Sequence, residues 1–165
     1  MKACELFQKI SPSLANNIIG YLRDQQKEVY RAAVGTLATQ RKLRPQFVQK
    51  KSREQQAAWI LDTLKLRSSE SIGEQVLQVW LMKAKAAMLV QFLNALGIAH
   101  DGNGAVDDLP STLDAAKLKE ALDKLLENFP GEDVAVYLNI FQLQQPGGWP
   151  EVSEALASDP RLKLG

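Results

Sequence analysis

The sequence is poor in the residues that most often carry chemistry, with one cysteine and one histidine among 165 residues. The single thiol, Cys4, cannot close a disulfide within the chain, which is typical of a reducing compartment such as the cytoplasm. The chain also lacks C-x-x-C, H-E-x-x-H and G-x-S-x-G motifs and any phosphate-binding glycine loop. The sequence therefore favours a protein that is not an enzyme, and we expect no cofactor.

Strand patterns are almost absent as well. No segment sustains the alternation of polar residues with Val, Ile and Thr that is typical of a half-buried strand. Apolar residues recur instead at every third or fourth position, so we predict an all-α protein, a single-domain bundle of about six to eight helices over residues 1–165. Similar segments 45 residues apart, at 46–48, 91–94 and 136–139, keep a helical-repeat-like arrangement open as an alternative.

Long uncharged hydrophobic runs are also missing. The most apolar stretch, residues 72–98, contains three charged side chains, each costing a few kcal/mol near the centre of a membrane. We therefore predict a long, buried central helix over 71–96 rather than a membrane span, and no membrane partner. Ser71 and Glu74 have the form of a capping box at its start, and Gly97 is suited to its end.

Cap residues and prolines mark the other helix ends. No break is evident within residues 12–41, so this part is either one helix or two. Leucines spaced along one face predict a helix that ends before Pro130. The helix that follows Pro130 is predicted to have two apolar stripes. Helix starts are predicted near Pro12, Pro45, Ser52, Thr112 and Pro150.

Charge is distributed unevenly, although the net charge of the whole chain is only +1. Residues 1–60 hold eleven Lys and Arg against four Asp and Glu, and residues 61–165 hold nine against fifteen. We predict a basic N-terminal part and an acidic remainder. Such a division indicates either an anionic partner or two parts of one fold that attract each other.

The first candidate site is the basic segment 41–53, which has no acidic residue and one aromatic side chain, Phe47. Its cations suit phosphates or an acidic protein surface, and Phe47 either stacks on a base or anchors the segment to the core. A solvated connector is the alternative, and the overall pI of 7.8 counts against a dedicated nucleic-acid protein. The candidate cations are Arg41, Lys42, Arg44, Lys50, Lys51 and Arg53.

The second candidate site is the loop 98–110, which contains His100, Asp101 and Asp107. Asp101 and Asn103 match the first two ligands of a calcium loop, but the later ligand and glycine positions do not match. A transition-metal or enzymatic site formed by the histidine and the two aspartates remains an alternative. The favoured interpretation is a pair of glycine turns, with the histidine either as a packing residue or as a hydrogen-bonded cap at the end of the central helix.

Trp149, which follows two glycines, is the third candidate. An exposed Trp in such a turn is typical of an interface, whereas a buried one covers the helix that follows it, and we favour the second interpretation. Together these features predict a non-enzymatic protein-interaction or scaffold module in the cytoplasm. Nucleic-acid binding through 41–53 is the main alternative, and the sequence leaves the oligomeric state open.

Overall fold

The computed structural model describes residues 1–165 and contains ten α-helices, two single-turn 3-10 helices and no β-strand, which confirms the all-α prediction. Helices outnumber the prediction because a first helix before Pro12 was not foreseen and two longer segments are each divided. The 3-10 turns lie at Arg67–Ser69 and Pro160–Leu162. The α-helices are α1 (Ala3–Lys9), α2 (Pro12–Gln25), α3 (Lys27–Arg41), α4 (Pro45–Gln49), α5 (Arg53–Leu64), α6 (Glu70–Ala84), α7 (Ala86–Leu96), α8 (Ala115–Asn128), α9 (Gly131–Gln142) and α10 (Pro150–Ser158).

Backbone contacts divide the chain into two compact units, unit 1 with residues 1–80 and Gly165, and unit 2 with residues 81–164. Helix α6 runs through the boundary. Unit 1 holds thirteen Lys and Arg against seven Asp and Glu, a net charge of +6. Unit 2 holds seven against twelve, a net charge of −5. Unit 1 is therefore basic and unit 2 acidic, and the single domain stays a prediction.

Unit 1 is built on helices α2, α3 and α5, with α5 packed against α1, α2 and α3. The predicted helix start near Pro12 is confirmed, and Ser11 caps it, since its Oγ accepts a hydrogen bond from the backbone N–H of Leu14 at 3.1 Å. The open question about residues 12–41 is answered as two helices, because Gln26 leaves the helical region with φ −132° and ψ 62°. The buried stripes are Leu14, Ala15, Ile18, Ile19 and Leu22 on α2, and Val29, Ala33, Val34, Leu37 and Ala38 on α3.

The start of α6 differs from the prediction, and its first residue binds the N-terminus of α1. The 3-10 turn leads into α6 at Glu70, so Ser71 lies inside the helix and is not its cap, which makes the predicted capping box wrong. The Glu70 carboxylate instead accepts hydrogen bonds from the backbone N–H groups of Ala3 at 2.7 Å and Cys4 at 3.0 Å. Glu70 therefore satisfies free N–H groups at the start of α1 and joins α1 to α6. A contact across 66 residues cannot be found from local capping patterns.

Glu70→Gln should lower the free energy of unfolding by about 1–2 kcal/mol at neutral pH, because hydrogen bonds to an ionised group become neutral ones. Partial burial opposes ionisation of Glu70, but the N–H groups of Cys4 and Ala3 outweigh it and lower the pKa of Glu70 below 4.5. A lowered pKa contributes stability that is complete above pH 4.5 and is lost as the pH falls through the folded-state value. Urea titrations of both proteins from pH 7 to pH 3 should therefore show the difference shrinking with acidification, and a constant difference would contradict this role.

The predicted long helix over 71–96 is wrong, because the chain breaks between α6 and α7 at Lys85. Lys85 has φ −120° and ψ 24°, and the helices on its two sides are bent by 83°. The residues around it, Lys83-Ala84-Lys85-Ala86-Ala87, are good helix formers, so local propensity does not cause the break. The Lys85 ammonium pairs with Asp133 on α9 at 2.8 Å, and Asp133 is buried. Tertiary packing in unit 2 therefore overrides the helical preference of this segment.

No single helix of the structure has both the length and the apolar character to cross a membrane; only the bent pair that meets at Lys85 reaches them together.

Unit 2 is centred on α9, in which every residue from Asp133 to Phe141 is buried. Helix α8 packs against α7, and α10 packs against both α8 and α9. An aromatic cluster occupies the centre, with Phe92 edge-on to Tyr137 and Phe141 at 5.2 and 5.4 Å between ring centroids. Both apolar stripes predicted for this helix are buried as far as Phe141, whereas Leu143, the last residue of the second stripe, follows the helix and is exposed.

The helix ends in unit 2 agree with the prediction at one point and differ at another. Gly97 ends α7 in the left-handed conformation with φ 69°, and the N–H of Ile98 donates to the carbonyl of Leu93 at 2.9 Å, as predicted. Helix α8 begins at Ala115 rather than near Thr112. Its cap is Asp114, whose Oδ1 accepts hydrogen bonds from two N–H groups of the first turn.

Candidate interaction surface

The basic segment 41–53 forms the connection from α3 through α4 to α5 in unit 1. The chain leaves α3 through Lys42, the one residue other than glycine with positive φ, at 54°. Pro45 opens the five-residue helix α4, and the predicted cap at Ser52 is confirmed, because its Oγ accepts from the N–H of Gln55 at 3.2 Å. Two turns and one very short helix leave most side chains of this segment in solvent.

Helix α4 is anchored by Val48 and not by Phe47. Val48 is fully buried, whereas the ring of Phe47 is 45% exposed. The interpretation of Phe47 as a core anchor is therefore wrong, because Val48 already provides that contact. Phe47 is one of five exposed large apolar residues in the chain, and it is the only aromatic among them.

Cations lie over two aromatic rings in this region. The guanidinium of Arg41 is 4.7 Å from the ring centroid of Trp59 on α5. The ammonium of Lys51 lies 4.5 Å from the centroid of Phe47 and 5.9 Å from that of Trp59. All three distances fall within the range in which the quadrupole of the ring attracts a cation. We call the resulting patch the basic aromatic surface; it comprises Arg41, Lys42, Arg44, Phe47, Lys50, Lys51 and Trp59.

A glutamine fixes the backbone beneath Lys51. The Gln56 side-chain amide donates to the carbonyl of Lys51 at 2.8 Å and to that of Gln49 at 3.1 Å. Its oxygen accepts a hydrogen bond from the Tyr30 hydroxyl at 2.6 Å. These hydrogen bonds fix the turn between α4 and α5, and they thereby fix the position of the Lys51 backbone.

Most charges on the basic aromatic surface are not neutralised by the protein itself. Arg41 forms an ion pair with Asp62 at 3.7 Å, a long contact between two exposed groups. Lys42, Arg44 and Lys50 are exposed and form no ion pair. Coulomb repulsion between neighbouring cations is thus only partly relieved, and an anion near them is favoured.

Arg53, the last of the predicted cations, has a different environment. A hydrogen bond from Arg23 lowers the pKa of Asp24, and the positive charges of Arg23, Arg53 and Lys27 lower it further. The charge of Arg53 therefore acts on Asp24 of α2, and we do not include Arg53 in the basic aromatic surface. Trp59 belongs to the surface but was not found by sequence analysis. The sequence feature that could have indicated it is an aromatic residue seven positions after the cap at Ser52. In the structure, few residues of this helix are buried.

The loop 98–110 forms turns that satisfy its own polar groups. Oδ1 of Asp101 accepts from the N–H groups of Asn103 at 2.8 Å and Ala105 at 3.0 Å, and these two contacts lower the pKa of Asp101. His100 accepts at Nδ1 from the N–H of Gly102 at 3.0 Å, so its proton is on Nε2, which donates to Asn94 on α7 at 2.7 Å. The interpretation of the glycines as turns is confirmed, since Gly102 and Gly104 have positive φ. His100 is hydrogen-bonded to the side chain of Asn94 and to the N–H of Gly102, and it does not contact the terminal carbonyls of α7 as a cap would.

The structure does not bring His100, Asp101 and Asp107 together as a metal centre, since no group of three or more His, Cys, Asp or Glu side chains is arranged to hold an ion. In this loop Oδ1 of Asp101 is engaged instead by two backbone N–H groups of its own turn.

Trp149 is fully buried, so its interpretation as an exposed interface residue is wrong and its interpretation as a packing residue is confirmed. Its indole stacks on Phe141 with 4.6 Å between ring centroids. Nε1 donates to the carbonyl of Pro110 at 2.9 Å, and the backbone N–H of Trp149 donates to Gln142 at 2.6 Å. Trp149 thereby ties the end of the loop 98–110 to α9 and α10.

Comparison of the chain with protein-family models, curated proteins and solved structures finds no match. The function therefore has to be inferred from the residues of the chain itself, and the basic aromatic surface is the candidate site on which the proposal below rests.

Proposed function

We propose that this protein is a non-enzymatic interaction module of the cytoplasm, and that the basic aromatic surface contacts an anionic macromolecule. One observation carries the proposal: two cations are held beside the same indole ring, on a surface where three further cations have no ion-pair partner. An acidic protein segment and a nucleic acid both present the negative charges that such a surface attracts.

Stacking on Trp59 lowers the cost of binding for Arg41 and Lys51. A free Lys or Arg side chain has about 2 kcal/mol of rotamer entropy to lose when it is fixed against a partner. Side chains that already lie against a ring have given up part of that freedom during folding, so less is lost on association. The surface is in this sense prepared for an anion in the folded protein.

The charge of unit 1 supports the same proposal. A net charge of +6 on 81 residues makes this unit distinctly basic, although the whole chain is nearly neutral. The neutral overall pI had argued against an anionic polymer as partner, and the division into units weakens that argument. The potential of such a surface raises the rate of encounter with anions, and the effect decreases as salt rises.

The experiment measures binding of three fluorescein-labelled probes by anisotropy: a single-stranded oligonucleotide, a duplex hairpin, and a peptide that combines Glu and Asp with apolar residues. We expect at least one probe to bind at low salt. The triple variant Lys42→Ser, Arg44→Ser and Lys50→Ser should weaken that binding at least tenfold, because three charge contacts are removed.

The matched control removes three exposed lysines from other parts of the chain, Lys83, Lys117 and Lys119. This control changes the net charge by the same amount but leaves the basic aromatic surface intact. It should therefore weaken binding less than threefold. Equal losses in the two triple variants, or no binding of any of the three probes at low salt, would disprove the proposed surface.

A further inference from the structure

The exposure of Phe47 is not explained by charge attraction alone. A surface that recognises only carboxylates needs cations, and beyond its contact with Lys51 a Phe that is 45% exposed adds nothing to that recognition. Val48 is the buried anchor of α4, so the exposure of Phe47 is not explained by packing either. Exposed aromatic rings among cations are the usual means by which proteins hold unpaired bases.

Rings and cations alternate across the surface. Arg41 lies against Trp59, Lys51 lies between Trp59 and Phe47, and exposed Lys50 and Arg44 flank the Phe47 helix in sequence. A single strand of nucleic acid has the complementary pattern, since bases with flat π faces alternate with phosphates along its backbone. Stacking of bases on such rings is tolerant of sequence, because every base presents a π face.

A duplex fits this surface less well. Bases within a duplex are already stacked on their neighbours, so their faces are not accessible to Phe47 or Trp59. Helix α4 has only five residues, about 7.5 Å of length, which is too short to follow the floor of a major groove. Glu54, in the first turn of α5, adds a negative charge where a recognition helix would approach phosphates.

We propose that the anionic partner is single-stranded nucleic acid, with Phe47 and Trp59 stacking on bases while Arg44 and Lys50 contact phosphates. This inference rests on the interaction function proposed above and names the partner class for the same surface. It assigns stacking and charge to different residues, and the two contributions have different dependences on salt.

The first test compares salt dependence among variants, using an unstructured single-stranded oligonucleotide. Phe47→Ala should weaken binding about tenfold without changing the slope of log K against log salt, because stacking releases no counterions. The double variant Arg44→Ser and Lys50→Ser should reduce the magnitude of that slope by about 1.4, since each phosphate contact on a single strand contributes about 0.7. Leu66→Ala, at an apolar residue of unit 1 that is 48% exposed, is the matched control and should bind as the unchanged protein does.

The second test uses the intrinsic fluorescence of Trp59. The other two Trp residues, Trp80 and Trp149, are buried, so quenching by a bound base should arise at Trp59. Trp59→Phe keeps a ring for stacking and should retain affinity within about threefold while losing the quenching. Phe is a conservative replacement at this position, so the variant should also keep the packing of α5 against α3.

The outcomes separate the two proposals. Binding of the acidic peptide or the duplex in preference to the single strand would keep the interaction function and overturn single-stranded nucleic acid as the partner. A Phe47→Ala variant with unchanged affinity for the single strand would also overturn it. If none of the probes binds at low salt, the interaction function itself fails.

Discussion

Trp149→Ala should lower the free energy of unfolding by about 4 kcal/mol, the largest effect expected from a single substitution in unit 2. The indole is fully buried, so truncation leaves a cavity and removes the stacking contact with Phe141. It also removes the hydrogen bond from Nε1 to the carbonyl of Pro110. Urea denaturation followed by far-ultraviolet circular dichroism measures the loss without depending on the fluorescence of the deleted residue.

Trp149→Phe separates packing from the hydrogen bond. Phe keeps a ring against Phe141 but has no donor for Pro110, so the expected loss is smaller, about 1–2 kcal/mol. In both variants, amide hydrogen exchange should accelerate over residues 98–114, because the end of that loop is no longer tied to the indole. Equal stability of the two variants, or unchanged exchange in the loop, would show that Trp149 does not hold the loop as the structure indicates.

Lys85→Met should lower the free energy of unfolding by about 3 kcal/mol, the second of the two large effects. The variant keeps a long apolar side chain but leaves the Asp133 carboxylate, whose side chain is 7% exposed, without its cation. The Lys85 side chain is 29% exposed, so Asp133→Asn leaves a cation that is able to turn towards water. We therefore expect Asp133→Asn to be clearly less destabilising than Lys85→Met when both are measured by urea denaturation.

The double variant completes the thermodynamic cycle. Lys85→Met combined with Asp133→Asn removes both charges, so it should be more stable than Lys85→Met alone, because no uncompensated charge remains. Strictly additive losses would show that the pair does not interact in solution. A break between α6 and α7 that disappears in the double variant would further show that the ion pair, rather than side-chain packing, produces the bend.

The fold class and many helix ends were predictable because their causes are local. Ser11, Ser52 and Gly97 act on backbone groups within a few residues of themselves, so a sequence window contains the whole interaction. Apolar spacing of three and four residues likewise indicates helices without knowledge of the partner that covers them. For the candidate site, the cations of 41–53 were visible in the same way, as a run without acidic residues.

The errors concern contacts between residues far apart in the chain. The helix predicted over 71–96 is interrupted at Lys85, which pairs with Asp133 48 positions later, and no local pattern indicates that partner. Ser71 and Glu74 have the form of a capping box, but the helix begins at Glu70, whose carboxylate accepts a hydrogen bond from the start of α1. Trp59 was missed because its role depends on the approach of Arg41 from another helix.

The sequence by itself determined that this is a helical protein with a basic first part and an acidic remainder, since helix periodicity and charge are properties of short windows. Only the tertiary structure decided that Val48 is buried and Phe47 exposed, and that Arg41 and Lys51 lie beside the same indole. Which side of a five-residue helix is buried depends on the surface that it meets, and α4 packs against α3. The basic segment therefore became a candidate binding surface only when folding placed Trp59 beside it.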